Sequence, residues 1–130
     1  MNVLFIEDDA MNRRVVKDML DVAGATMTGA EDAEAGLALV ETQDFDVALV
    51  DLRMPGMDGL SAIRHIRARE DTKASMPIIV VTADTAADLR ERCLEAGADE
   101  VLFKPVAMDS LFDAIGRLMA RGTSDGGMIG

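Results

Sequence analysis

Apolar residues in this chain gather into four short blocks, 3–6, 47–50, 78–81 and 101–103, none of which contains a polar position. Short, mostly branched blocks without alternation are the mark of strands covered on both faces, as in a parallel sheet, although periodicity by itself leaves buried helix open. A weaker stretch, 26–29, reads as a fifth strand nearer an edge. Between the blocks the period changes to that of helices. Val16, Met19, Leu20 and Ala23 share one helical face, and Gly24 follows as a stop. Ala33, Leu37 and Val40 make a second face, while Leu60, Ile63 and Ile66 mark a third helix within 59–69. A fourth covers 85–96 and ends at Gly97, and Leu111, Ile115, Leu118 and Met119 define a last one. Strands alternating with helices and joined by right-handed crossovers predict an α/β fold, a doubly wound five-stranded parallel sheet in a three-layer sandwich.

The length of 130 residues suits one domain over 1–121, and 122–130, with four glycines in nine residues, is expected to be a disordered tail. No segment is left for an output domain, so a stand-alone regulator is expected.

In an open parallel sheet, function gathers beyond the carboxyl ends of the strands. There the first block runs straight into Glu7, Asp8 and Asp9, the third strand ends at Asp51, the fourth at Thr82 and the fifth at Lys104. Two carboxylates 4 Å apart repel by roughly 4 kcal/mol at an effective dielectric of about 20, so the cluster demands a counter-charge, a proton or open water. A hard divalent cation answers that demand, since Mg²⁺ takes one or two carboxylates, a carbonyl and waters and leaves room for a phosphate oxygen. Asp51 is then placed to accept a phosphoryl group as an aspartyl phosphate, with Mg²⁺ and Lys104 offsetting charge and Thr82 hydrogen-bonding the product.

Charge narrows the partners. With 24 acidic and 13 basic residues the formal charge is −11, which argues against nucleic acid and anionic membrane and favours proteins or cations. A single cysteine, Cys93, excludes an internal disulfide and fits a reducing compartment. No signal peptide or apolar run of spanning length is evident, so a cytoplasmic location is expected.

The set "FIEDD", "VDLRMPGMDG", "VVTAD" and "LFKP" resembles the receiver domain of bacterial response regulators over roughly residues 1–120. The resemblance implies a flavodoxin-like (βα)₅ fold in which Asp51 is phosphorylated by a histidine kinase or histidine phosphotransfer protein. It implies a Mg²⁺ site from Glu7, Asp8, Asp51 and the main-chain carbonyl of Arg53, with Asp8 the more direct of the two acidic-turn ligands. Lys104 contacts the phosphoryl group, Thr82 swings toward it, and the main-chain N–H of Ala83 assists. A cis peptide at Lys104-Pro105 is implied as well, and output is expected through the fourth helix, fifth strand and fifth helix. Many members carry an aromatic three residues before the lysine; here that position is Val101, so the aromatic switch is not carried over. Arg53 and Asp84 fall where such proteins tune phosphoryl lifetime, and their opposite charges are expected to pair over the site and restrict water.

Plainer roles stand beside these. Asp9 reads as a helix cap, His65 as a solvent-facing residue, Cys93 as a small core or flank residue, and the Asn and Arg residues of "MNRR" as a solvated helix face. "RMPGMDG" is first of all a turn, broken by Pro55, Gly56 and Gly59. The competing functions are a non-phosphorylated receiver-like scaffold and a Mg²⁺-dependent aspartyl phosphatase. The phosphatase is disfavoured because Arg53 stands where such enzymes present a second Asp. The oligomeric state is expected to be monomer or a phosphorylation-dependent dimer.

Overall fold

We describe the fold from a computed structural model covering residues 1–54 and 56–127, with side chains as far as residue 120. The chain alternates strand and helix throughout: β1 (Asn2–Ile6), α1 (Ala10–Val22), β2 (Thr26–Ala30), α2 (Ala33–Thr42), β3 (Val47–Asp51), α3 (Gly59–Arg67), a 3₁₀ turn (Thr72–Ser75), β4 (Ile78–Thr82), α4 (Leu89–Ala96), β5 (Glu100–Phe103) and α5 (Met108–Gly127). The strands form one parallel sheet in the order β2-β1-β3-β4-β5, which puts β2 at an edge as its weaker pattern predicts. This is the flavodoxin-like (βα)₅ arrangement.

The blocks in β1, β3 and β4 are explained by burial on both sides, whereas the block 101–103 departs from that expectation: β5 is the other edge strand, with Val101 buried and Phe103 half exposed. Leu4, Ile6, Ala48, Val50, Ile78 and Val80 face one layer, packed with Val40, Ile63 and Cys93. Val3, Phe5, Val47, Leu49, Ile79 and Val81 face the other, with Val16, Leu20, Leu111 and Ile115. Cys93 is buried, and that burial pushes its thiol above the ordinary range, as suits a core residue rather than a nucleophile. Helices begin where an aspartate accepts their first amide hydrogens: Asp9 for α1, Asp32 for α2 and Asp58 for α3.

Two boundaries differ from the sequence expectation. Helix α4 begins at Leu89 rather than near residue 85, because the Asp84 carboxylate takes the Ala86 amide at 2.9 Å and Thr82 Oγ1 accepts the Asp84 amide at 3.0 Å. Such local bonds compete with helix formation. Helix α5 is assigned to Gly127 and so takes in the first part of the segment expected to be a tail; the side chains of residues 121–127 and all of residues 128–130 lie outside the described residues. Residue 55, within the expected turn, also lies outside them.

At the amino-terminal rim of the sheet, two basic residues hold the connections in place. Arg67 donates from Nε to the Gly97 carbonyl at 2.8 Å, from Nη1 to the carbonyls of Ala74 at 2.8 Å and Met76 at 2.6 Å, and from Nη2 to Asp99 at 3.0 Å. Lys73 closes the end of α2, donating to the carbonyls of Val40 at 2.6 Å and Gln43 at 3.1 Å.

Close backbone approach decides one glycine. A methyl group on Gly59 would lie 2.4 Å from the Asp51 carbonyl oxygen, and the Gly59 amide donates to the Leu52 carbonyl at 3.2 Å. Gly59→Ala is therefore expected to cost about 1–3 kcal/mol in urea unfolding, as overpacked sites do. Gly116→Ala, where an added methyl meets nothing within 4 Å, is expected to stabilise by about 0.5–1 kcal/mol in the same measurement.

Candidate functional site

The parallel direction of all five strands carries the predicted polar residues to one rim. Glu7 follows β1, Asp51 ends β3, Thr82 ends β4 and Lys104 follows β5. Glu7, Asp51 and Thr82 are the three buried polar side chains among the described residues. One carboxylate oxygen each from Glu7, Asp8 and Asp51 lies within 4.8 Å of the others. Buried strands pay for this concentration of charge with a partner: Lys104 Nζ donates to Glu7 Oε1 at 2.6 Å and stands 3.6 Å from Asp51 Oδ2.

The electrostatics follow from the geometry. Desolvation opposes the charge on Lys104, but the hydrogen bond to Glu7 and the charges of Asp51 and Glu7 outweigh it and hold the ammonium above its ordinary pKa. Asp8 is exposed, yet partial desolvation, then a hydrogen bond with Glu7 and repulsion from its charge, raise its carboxyl above the ordinary value against the pull of Lys104. The second Glu7 oxygen accepts a long hydrogen bond from the Asp9 amide at 3.4 Å. An all-oxygen donor set of three carboxylates, one buried against a lysine, fits a hard cation such as Mg²⁺.

Around this centre the other predicted residues are placed as follows. Thr82 is fully buried, its hydroxyl accepting from the Asp84 amide and its carbonyl from the Lys104 amide at 2.8 Å. Ala83 is exposed just beyond it. Arg53 is largely exposed, its amide 3.5 Å from Asp51 Oδ1 and its guanidinium 3.4 Å from Asp84, so the expected pair is formed. The Ala86 amide above all, and then Arg53, hold the Asp84 carboxyl below its ordinary value. Val101 is buried in the core, and Phe103 is half exposed and paired in register with Thr82. The Lys104-Pro105 bond is cis. Asp9 caps α1 by accepting the amides of Met11 and Asn12. His65 is exposed, donating from Nδ1 to the Ser61 carbonyl at 2.8 Å.

One expectation needs correction. Arg13 does not belong to a solvated helix face: it is partly buried and donates from Nη1 to the Glu7 carbonyl at 2.6 Å. Its neighbour Arg14 is exposed as expected. The signal in the sequence was a glycine inside β2, Gly29, which leaves room for the Arg13 stem.

A family model for the response regulator receiver domain matches residues 3–116. The chain belongs to that family, the receivers of two-component systems. It is 39% identical over 119 residues to the sensor histidine kinase AruS of Pseudomonas aeruginosa, covering 91% of this chain but 12% of that protein, so a stand-alone regulator is not what this match shows. Among solved structures, it resembles the receiver domain of the P. aeruginosa sensor histidine kinase PA1611, solved with a magnesium ion in its active-site cleft: 36% identity, TM-score 0.81, 89% of this chain and 94% of that one. A CheY-like receiver protein from Methanospirillum hungatei superposes with TM-score 0.86 at 27% identity, over 95% and 97% of the two chains.

Because Lys104 is the cation closest to a buried carboxylate, its removal has a defined cost. Lys104→Met is expected to destabilise the metal-free protein by about 2 kcal/mol, below the roughly 3–5 of a fully buried pair because the ammonium is partly exposed. Adding Glu7→Gln should recover part of the loss, read as non-additivity in urea unfolding without divalent cations.

Proposed function

We propose that the chain is a phospho-accepting receiver whose Asp51 takes a phosphoryl group from a phosphohistidine on a histidine kinase or histidine phosphotransfer protein and signals through altered protein binding. The observation that supports this reading is the convergence of Glu7, Asp8 and Asp51 within 4.8 Å at strand ends, with Lys104 reaching them from the end of β5 on the same rim. A carboxylate oxygen of Asp51 attacks phosphorus, the phosphorus–nitrogen bond breaks, and its electron pair stays on the imidazole nitrogen. The acyl phosphate is later cleaved by water, which returns the carboxylate and frees inorganic phosphate.

Each residue of this chain has a role. Glu7, Asp8, Asp51 and the Arg53 carbonyl would hold Mg²⁺, which supplies positive charge against the phosphoryl oxygens. Lys104, now bonded to Glu7, is within reach of Asp51 and offsets charge on the transferring group. The Thr82 hydroxyl and Ala83 amide donate to the product oxygens. Such a module performs its own phosphoryl transfer and slow hydrolysis and turns over no separate metabolite. The magnesium-bearing cleft of the PA1611 receiver and the kinship with histidine kinase receivers support the reading. Arg53 and Asp84, paired across the mouth, limit water.

The deciding test is incubation with acetyl phosphate and Mg²⁺ followed by intact mass measurement. The wild type is expected to gain one phosphoryl group, Asp51→Asn none, and chelation of Mg²⁺ to abolish the gain. Rapid turnover of small phosphate esters would indicate a phosphatase. A wild type left unmodified even by a competent phosphohistidine donor would indicate a scaffold.

Exposed ion pairs are worth up to about 1 kcal/mol, which sets the scale for the mouth. Arg53→Ala should therefore speed loss of the phosphoryl group by up to about fivefold. An unchanged decay rate, followed by mass after removal of the donor, rejects the water-limiting role.

A further inference from the structure

The main-chain segment that presents the acidic turn is gripped from two sides. The Glu7 amide donates to the Ala30 carbonyl of β2 at 2.9 Å, and the Glu7 carbonyl accepts from Arg13 Nη1 at 2.6 Å. Arg13 stands one helical turn after the cap, its amide donating to the Asp9 carbonyl at 3.1 Å, so its side chain folds back over the turn from which its own helix springs. It does so through a gap in the sheet edge. A methyl group on Gly29 would lie 2.9 Å from Arg13 Cδ and 3.4 Å from Nε. Any side chain at position 29 would occupy the space of the arginine stem.

A residue whose preceding peptide is held at its N–H and whose following peptide is held at its C=O has little freedom to turn, and the carboxylates of Glu7 and Asp8 inherit that constraint. The Glu7 side chain then points at Lys104 and at the Asp9 amide, and Asp8, the next residue, is aimed into the cluster with Asp51. Arg13 also places a permanent positive charge behind three carboxylates without itself occupying the mouth. A guanidinium is suited to this because it stays charged at every working pH and donates in a fixed plane.

We propose that Arg13, lodged across Gly29, is a positioning residue that fixes the direction of the Glu7-Asp8 turn and thereby sets the affinity of the acidic cluster for a divalent cation and the rate of phosphoryl acceptance by Asp51. The inference rests on the receiver reading for its last step, whereas its first two steps are measurable without phosphorylation.

The experiment uses the full chain, with Arg13→Met, Arg13→Lys, Gly29→Ala, the double variant Arg13→Met/Gly29→Ala, and Arg14→Met as a control on the exposed neighbour. Two quantities are read: amide NMR shifts of residues 7–9 without divalent cations, and the Mg²⁺ dissociation constant from titration. Arg13→Met is expected to shift the Glu7 and Asp8 amides and to weaken Mg²⁺ binding about 10-fold, the lower end of the range for residues supporting metal ligands. Arg13→Lys should recover part of the affinity. Gly29→Ala, whose methyl would lie 2.9 Å from Arg13 Cδ and so displaces the arginine stem, should reproduce the loss, and the double variant should be no weaker than Arg13→Met alone. A structural role alone would lower melting temperature without this pattern.

Mg²⁺ affinities within twofold of wild type for Arg13→Met and Gly29→Ala, or additive losses in the double variant, overturn the proposal, as does a wild type indifferent to Mg²⁺. The receiver reading fails separately. It falls if the wild type, binding Mg²⁺ and showing the Arg13 effects, never carries a phosphoryl group on Asp51.

Discussion

Like-charge repulsion at the end of a buried strand is the constraint from which the rest of the molecule follows. Glu7 and Asp51 are buried and Asp8 is held beside them, an arrangement that a compensating charge makes tolerable in surroundings of reduced dielectric. Lys104 provides that charge from β5, across three strand spacings from the end of β1. A doubly wound parallel sheet is well suited to such a meeting. Every strand delivers its last residue to the same edge, so groups far apart in sequence converge without any loop having to search for its partner.

The same geometry sets the surroundings of Asp51. Helix α3 starts at Gly59 directly against the main chain of residues 51–52, with room for a hydrogen and no more. Arg53, just after Asp51, faces Asp84 with its guanidinium 3.4 Å away. On the other flank, the late start of α4 leaves the stretch after Thr82 as turns held by Asp84, so the hydroxyl of Thr82 already has an amide neighbour at 3.0 Å.

Much of this was legible in the sequence because the signals were of two robust kinds. Unbroken apolar blocks reported strands, those of β1, β3 and β4 with no solvent face and that of β5 at an edge, and the first polar residue after each block reported the rim. Glu7, Asp8, Asp51, Thr82 and Lys104 were found in this way. What escaped was tertiary. The start of α4 depended on side-chain bonds of Thr82 and Asp84 that compete with helix. The Arg13 contact depended on β2 lying beside β1 with an empty position at Gly29, a juxtaposition that helical periodicity does not encode. From α1 alone, Arg13 and Arg14 are equivalent polar positions, and only the fold distinguishes them.

The grip of Arg67 and Lys73 on the opposite rim has a consequence for how such a chain changes over time. Five-residue strands separate the two rims by about 17 Å, beyond the distance at which substitutions ordinarily feel one another. Fastening and chemistry are thus drawn from different residues at opposite poles. Residues at the chemical pole are free to diverge toward new correspondents while the anchoring pole keeps the scaffold intact.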